Sequence, residues 1–235
     1  MADSAAFYDA AWSDWDDMLE YGPTNRHIYR LKQCVLSGLP FASVLDVGCG
    51  SGLVLRDLLQ QRPNIEVAGV DVSPRAVEMS RRRLPSGTFA VLDVTAEHLT
   101  QQFDLVICTE VLEHIPDDLA ALRNIRAMCR HWCMVTSVQG PMGDWERNIG
   151  HVRNYARGEL QGKLLATGFN VIRTIEWGWP LYNLYRRHVL ARVPFQSTVG
   201  HFGWKRRLLS RALYAVMFAN LRTHGDYVIC LAESR

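Results

Sequence analysis

The chain has 235 residues, 48% of them hydrophobic and 21% charged, a balance that excludes a disordered tail, a collagen-like repeat or a coiled coil. This length favours one α/β domain with an elaboration over two domains, and such a chain buries roughly 70% of the surface it exposes when unfolded, so it needs no disulfide or metal staple. The net charge of +2 hides an uneven distribution: residues 177–225 hold eight Lys or Arg and no acid, which leaves the remainder acidic.

The first residues, MADSAAFYDAAWSDWDD, are acidic where a secretory signal is basic and then apolar. No apolar run approaches the roughly 20 residues that span a bilayer, so the expected location is the cytoplasm. Cys34, Cys49, Cys108, Cys129, Cys133 and Cys230 form no C-x-x-C pair. They read as small buried hydrophobes in a reduced compartment; Cys129 and Cys133, four apart, could serve a metal but lack a second pair.

Residues 5 to 37 predict one or two helices broken at Tyr21-Gly22-Pro23, with Thr24 or Asn25 to cap the second. Short apolar runs follow at 43–47, 66–72, 88–94 and 103–109, interleaved with helix candidates at 52–61 and 74–84, the latter opened by Ser73 and Pro74. A helix over 117–130 has Asp117 and Asp118 in its first turn, and strand WCMVTSV follows at 132–138. ARGELQGKLLATGF at 156–169 reads as a helix leading into strand FNVIRTIEW, and DYVICLA at 226–232 as the last strand. Alternating strands and helices imply right-handed βαβ units, a mostly parallel sheet, and a ligand at the carboxyl ends of the strands.

The first strand ends in Asp46-Val47-Gly48-Cys49-Gly50-Ser51-Gly52 and runs into a helix. Glycines there let the backbone turn tightly and approach a ligand at the helix N-terminus. The spacing is G-x-G-x-G, with Leu53 where a dinucleotide fingerprint has its third glycine. Asp46 would repel a pyrophosphate but suits an ammonium group. Asp71 closes the second strand, as a ribose diol requires, and Asp93 closes the third, where an adenine amino group would lie. Singly each acid reads equally well as a cap or a solvated loop residue; three in register do not.

VLDVGCGSG, VAGVDVSPRAVEMSRRR, FAVLDVTAEHL and FDLVICTEVLEHIPD resemble the successive motifs of the class I S-adenosylmethionine-dependent methyltransferases, most closely the ubiquinone-biosynthesis O-methyltransferase-like small-molecule group. The resemblance covers about residues 40 to 176. It implies a Rossmann-like seven-stranded sheet with a reversed last strand and helices on both faces. By that likeness Asp46 with Gly48, Cys49, Gly50 and Gly52 would hold the methionine part, Asp71 with Val72 the ribose, and Asp93 with Val94 the adenine. Thr109 and Glu110 would lie beside the sulfonium.

Glu110-Val-Leu-Glu113-His114 presents three polar side chains on one side of a single turn. Two carboxylates so close need a cation between them or a shared proton, and His151 supplies a fourth donor, so Glu110, Glu113, His114 and His151 are a candidate site for a divalent metal such as Mg or Zn. The set also resembles the metal site of small-RNA 2′-O-methyltransferases. Without a metal, His114 or His151 is the candidate general base, with Glu113 beside it.

The acid-free stretch interleaves aromatics with cations, and LLSRALYAVMFANL (208–221) is apolar around most of its circumference, which predicts a helix buried against something. It reads as a lid over the site, as a docking element for an anionic membrane or a lipid-like substrate, or, with least support, as an RNA-binding surface. Trp12, Trp15, Tyr21, Arg26 and Arg30 would close the other side of the pocket. The expected organisation is a helical cap over residues 1–40, a core over 41–178 and 225–235, and a basic insertion over 179–224. The expected activity is methyl transfer to a hydroxyl oxygen of a small apolar or aromatic metabolite. RNA 2′-O-methylation, N- or C-methylation, and a non-catalytic membrane-associated binding protein are the alternatives.

Overall fold

The computed structural model describes residues 17, 18, 20–193 and 200–235. Trp12, Trp15, Phe195 and the helix expected from residue 5 lie outside the described residues. Seven strands form one sheet in the order β3-β2-β1-β4-β5-β7-β6. They are β1 (Ser43–Val47), β2 (Glu66–Asp71), β3 (Thr88–Val91), β4 (Phe103–Thr109), β5 (Cys129–Val138), β6 (Phe169–Trp177) and β7 (Tyr227–Ser234). All neighbouring pairs from β3 to β5 are parallel, whereas β7 runs antiparallel to both β5 and β6. The expected fold class is therefore the observed one. The central strands read as continuous apolar runs because helices cover both faces: Val44, Leu45, Val106, Ile107, Val135 and Ile229 are all buried.

Eight helices accompany the sheet among the described residues. α1 (Pro23–Leu36), α2 (Leu53–Gln61), α3 (Pro74–Arg83) and α4 (Asp118–Met128) precede or cross between the parallel strands, while α5 (Asp144–Asn148) and α6 (Glu159–Ala166) link β5 to β6. α7 (Leu181–Leu184) and α8 (Trp204–Val216) lie between β6 and β7. Ser73 caps α3 by accepting from the Ala76 amide at 3.0 Å, and Asp117 caps α4 through Ala120. α1 differs from its sequence prediction, because Gly22 occupies the cap position, Pro23 opens the helix, and the Asn25 amide instead donates to the Met18 carbonyl at 2.9 Å. A proline in the first turn needs no amide partner, so the helix starts earlier than the polar residues suggested.

Two apolar clusters sandwich the sheet, one on the α4/α6 side and one on the side of α1, α2 and α8. Five cysteines are buried and Cys34 is exposed, against the expectation that all six lie inside; all six are free thiols. α8 also departs from expectation: Ser210 is its one fully buried residue, while Trp204 and Leu208 stand exposed. It is held to α1 by side chains that alternate cation and ring: Arg26 lies over Tyr214 at 4.0 Å, and His27 Nε2 donates to the Tyr214 carbonyl at 2.7 Å. Because His27 and these arginines supply the inner contacts, the helix needs only one face against the body.

Candidate functional site

The chain leaves β1 to cross to β2 on one side of the sheet and reaches β4 on the other, so the ends of β1 and β4 mark the switch point. A cavity of about 1020 Å³ opens there. Asp46, Gly48, Cys49, Gly50, Asp71, Val72, Asp93, Val94, Thr109, Glu110, His114 and His151 all line it. Gly52 and Glu113 do not: Gly52 sits behind the loop and Glu113 behind the histidines.

Each part of the loop is fixed by a specific bond. The Gly48 and Cys49 amides both donate to the Val70 carbonyl, at 2.8 and 3.0 Å, which bends the chain out of β1. Gly48 has φ +73°, and a side chain there would run into Val111, with a Cβ 2.2 Å from its methyl. Gly52 has φ +77° and backs onto Ser80, so close packing of α2 on α3 requires its missing side chain. Asp71 accepts the Gly50 amide on Oδ2 and the Ser73 amide on Oδ1, both at 2.9 Å, tying the end of β2 to the glycine loop. Asp93 accepts both the amide and the hydroxyl of Thr95.

Asp46 is 1% exposed and its Oδ1 has no hydrogen-bond partner. Burial pushes its carboxyl well above the usual range, against the pull of Lys32. Lys32, buried on α1, is pushed down by the same loss of water, while Glu110 and Asp46 favour its charged form. Sequence reasoning missed Lys32 because the residue reads as a solvated helix position. Its place on the inward face of α1, in register with Ile28 and Leu31, was the available signal.

Glu110 adopts φ 59°, an uncommon conformation for a residue with a side chain. Its carboxylate accepts the Thr136 hydroxyl at 3.1 Å and the Tyr227 hydroxyl, which itself lies 2.8 Å from Thr136 Oγ1. Glu110 is thus held by β5 and β7. The candidate metal donors brought together are the other three: Glu113, His114 and His151 have ligand atoms within 4.8 Å of one another. Both Glu113 oxygens are fully buried without a hydrogen bond of good geometry. Burial, and after it Glu110, pushes the Glu113 carboxyl well above its ordinary range, although the Ser137 hydroxyl beside it favours the ionised form.

The two imidazoles meet edge to face with centroids 4.7 Å apart. His114 is pushed down to about 4 by burial and by His151. His151 is also lowered, by burial above all, and its Nδ1 faces Asn154 Oδ1 at 3.1 Å, which makes Nδ1 the donor and leaves Nε2 as the acceptor. Both rings are neutral near pH 7. The His151 amide donates to the Glu146 carbonyl at 2.9 Å, and the Glu146 side chain pairs with Arg186 at 2.6 Å. Arg186 therefore ties the segment after β6 to the histidine, a role invisible in sequence because charge runs normally face water.

A family model described as a methyltransferase domain matches residues 45–134. Over that span the chain is similar to a methyltransferase domain. Over 134 residues it is 33% identical to the ubiquinone biosynthesis O-methyltransferase of Vibrio vulnificus, an alignment covering 53% of this chain and 56% of that protein. The corresponding enzyme of Alkalilimnicola ehrlichii is 35% identical over 128 residues, covering 50% of this chain and 51% of its own length. The chain thus spans about half the length of these curated relatives. Among solved structures, the methyltransferase bound to the Haloferax volcanii Trm112 activator superposes with a TM-score of 0.64 at 18% identity, covering 97% of both chains. The N-methyltransferase NodS of Bradyrhizobium japonicum, in complex with S-adenosylhomocysteine, gives 0.59 at 16%, covering 92% of this chain and 90% of its own. At these identities the structural likeness establishes the methyltransferase fold.

Proposed function

We propose that this chain transfers the methyl group of S-adenosylmethionine to a hydroxyl oxygen of a small apolar or aromatic molecule. The observation that carries the reading is the convergence on one cavity of the glycine loop, the strand-end acids Asp46, Asp71 and Asp93, and two neutral imidazoles. Asp46 accepts from the cofactor's ammonium group, Asp71 from the ribose hydroxyls, and Asp93 with the Val94 backbone meets the adenine edge. Bonds to a charged acceptor of this kind contribute about 1.5–3 kcal/mol each. Tyr185, Leu190, Phe202 and Leu213 line the remainder of the cavity and match an acceptor with an apolar body.

The methyl carbon is already electrophilic, so the protein has to align donor and acceptor and take up a proton. S-adenosylmethionine would supply that methyl group, its sulfur keeping the electron pair of the broken carbon–sulfur bond, and His151 Nε2 or His114 would take up the proton of the acceptor hydroxyl. Both rings are unprotonated near pH 7 and can accept it.

Glu113, His114 and His151 also suit a divalent cation: one carboxylate and two imidazoles converge, and the buried oxygens of Glu113 accept no hydrogen bond of good geometry. Such an ion would lower the pKa of a hydroxyl bound to it. Titration calorimetry tests both parts. S-adenosylhomocysteine should bind the wild-type chain and bind Asp71→Ala at least about tenfold more weakly; equal affinity would overturn the cofactor reading. Mg²⁺, Mn²⁺ or Zn²⁺ binding that disappears in Glu113→Ala would assign the metal, and its absence in the wild type would leave the histidines as plain bases.

A further inference from the structure

α8 has two unlike faces. Ser210, Leu213 and Tyr214 line the cavity. Trp204, Leu208, Ala212 and Ala215 succeed one another at three- and four-residue intervals on the far side, where neighbours on a helix share a face. Trp204 is 72% exposed there and Leu208 62%. Of the thirteen large apolar side chains left exposed among the described residues, nine lie between Trp179 and Leu221. Four of these nine, Trp204, Leu208, Leu209 and Val216, lie on α8 itself, and a gathered apolar patch marks an interaction site where scattered residues do not.

Charge selects the occupant. Lys205 and Arg211 flank the apolar row, and Lys205 Nζ sits 5.5 Å from the Trp204 ring. Neither makes an ion pair among the described residues, whereas inward-facing arginines of the same segment are matched by acids, Arg186 and Arg187 by Asp226 and Arg207 by Asp17. No acid occurs anywhere from residue 177 to 225. A row of Trp and Leu edged by cations that make no ion pair among the described residues, in a stretch of chain that itself holds no acid, fits the boundary between anionic headgroups and acyl chains. No described helix is long and apolar enough to cross a membrane, so the fit is to a helix lying in the surface.

We infer that α8 docks on an anionic phospholipid bilayer through Trp204, Lys205, Leu208 and Arg211, and that an amphiphilic acceptor reaches the cavity behind it from the lipid. The acceptor's route rests on the methyltransferase reading; the docking does not. The test is co-sedimentation of the full chain with vesicles of phosphatidylcholine, alone or with phosphatidylglycerol, alongside S-adenosylhomocysteine calorimetry on the same samples. The wild type should pellet with the anionic vesicles and be released as salt rises from about 0.05 M to about 0.5 M. Each of Lys205→Gln and Arg211→Gln should weaken binding about fivefold, and the pair roughly thirtyfold. Leu208→Glu should lower it at least about tenfold. None of these three residues lines the cavity, so S-adenosylhomocysteine affinity should stay unchanged in every variant.

Wild-type protein that ignores anionic vesicles, or pellets equally with neutral ones, overturns the docking. So does a Leu208→Glu variant that binds as the wild type does. If α8 is instead covered by a second copy, sedimentation velocity will show a dimer that Leu208→Glu dissolves, with no vesicle binding. Vesicle binding without S-adenosylhomocysteine affinity would leave the docking standing and remove the methyltransferase reading.

Discussion

Replacing Arg186 with Met should uncouple the segment after β6 from His151. Arg186 is 4% exposed and donates to Glu146 Oε1 at 2.6 Å, to Asp226 Oδ2 at 2.8 Å and to the Pro141 carbonyl at 2.6 Å. Removing it affects the two acids unequally. Asp226 keeps a two-point pairing with Arg187, at 2.8 and 2.7 Å, and the Asn183 amide at 2.9 Å. Glu146 keeps no cation, only backbone amides, its own and that of Gly143 at 2.8 Å. Burial alone would raise the Glu146 carboxyl, yet Arg186 and the surrounding backbone amides hold it below its ordinary value. Breaking a buried pair costs about 3–5 kcal/mol; with Asp226 still compensated, the loss should fall near the lower figure, about 3 kcal/mol. Denaturant unfolding of Arg186→Met, Glu146→Gln and the double variant gives the cycle. The double variant should recover about 2 kcal/mol of the Arg186→Met loss, because no stranded carboxylate remains. Since the Glu146 backbone holds His151, Arg186→Met should also lower turnover more than S-adenosylhomocysteine affinity. Purely additive losses, or a single variant that loses less than about 1 kcal/mol, would refute the reasoning.

Gly48→Ala forces a Cβ toward Val111 at a left-handed φ; it should cost about 1–3 kcal/mol and weaken S-adenosylhomocysteine at least about tenfold, both measurable by unfolding and calorimetry. Tyr227→Phe removes the hydroxyl that Glu110 accepts and leaves that carboxylate with Thr136. It should destabilise the protein by about 1–3 kcal/mol, with turnover falling further than cofactor affinity. His27, His114 and His151 all have folded-state values below the free imidazole. The unfolded chain therefore binds more protons in acid, so their contribution is intact above about pH 6.5 and is lost as pH falls toward the folded values. Melting temperature should drop between pH 7 and pH 5, and His27→Gln should shrink the drop; an unchanged profile in that variant would remove His27 from the account.

The sheet, its strand ends and the glycine loop were legible because each rests on a local rule: apolar runs mark buried parallel strands, and a turn that must pass close to a ligand demands glycine. The same locality explains where sequence reasoning stopped. Spacing suggests that Glu110 points the same way as Glu113, but its left-handed φ aims the carboxylate at Thr136 and Tyr227, and Tyr227 lies more than a hundred residues away. Lys32 reads as a surface lysine until α1 is laid over β1. α8 reads as buried on composition, because a sequence gives the apolar circumference of a helix but not how much of it the body covers. The N-terminal arginines did reach the pocket, since Arg26 and Arg30 line it, while Tyr21 faces α8 through the Arg207 guanidinium.

The register between β6 and β7 gives the long connection a further meaning. Trp177 and Tyr227 are paired across adjacent antiparallel strands, so everything between them is, topologically, the loop of a single hairpin. Such a loop leaves and re-enters the sheet at one point, and closing it costs only slowly more as it lengthens. The element over the cavity can therefore be shortened, extended or exchanged without disturbing strand order or the glycine loop. On the methyltransferase reading proposed above, acceptor choice would lie in the hairpin's loop and cofactor binding in the strand ends it covers, parts of the chain that can change independently.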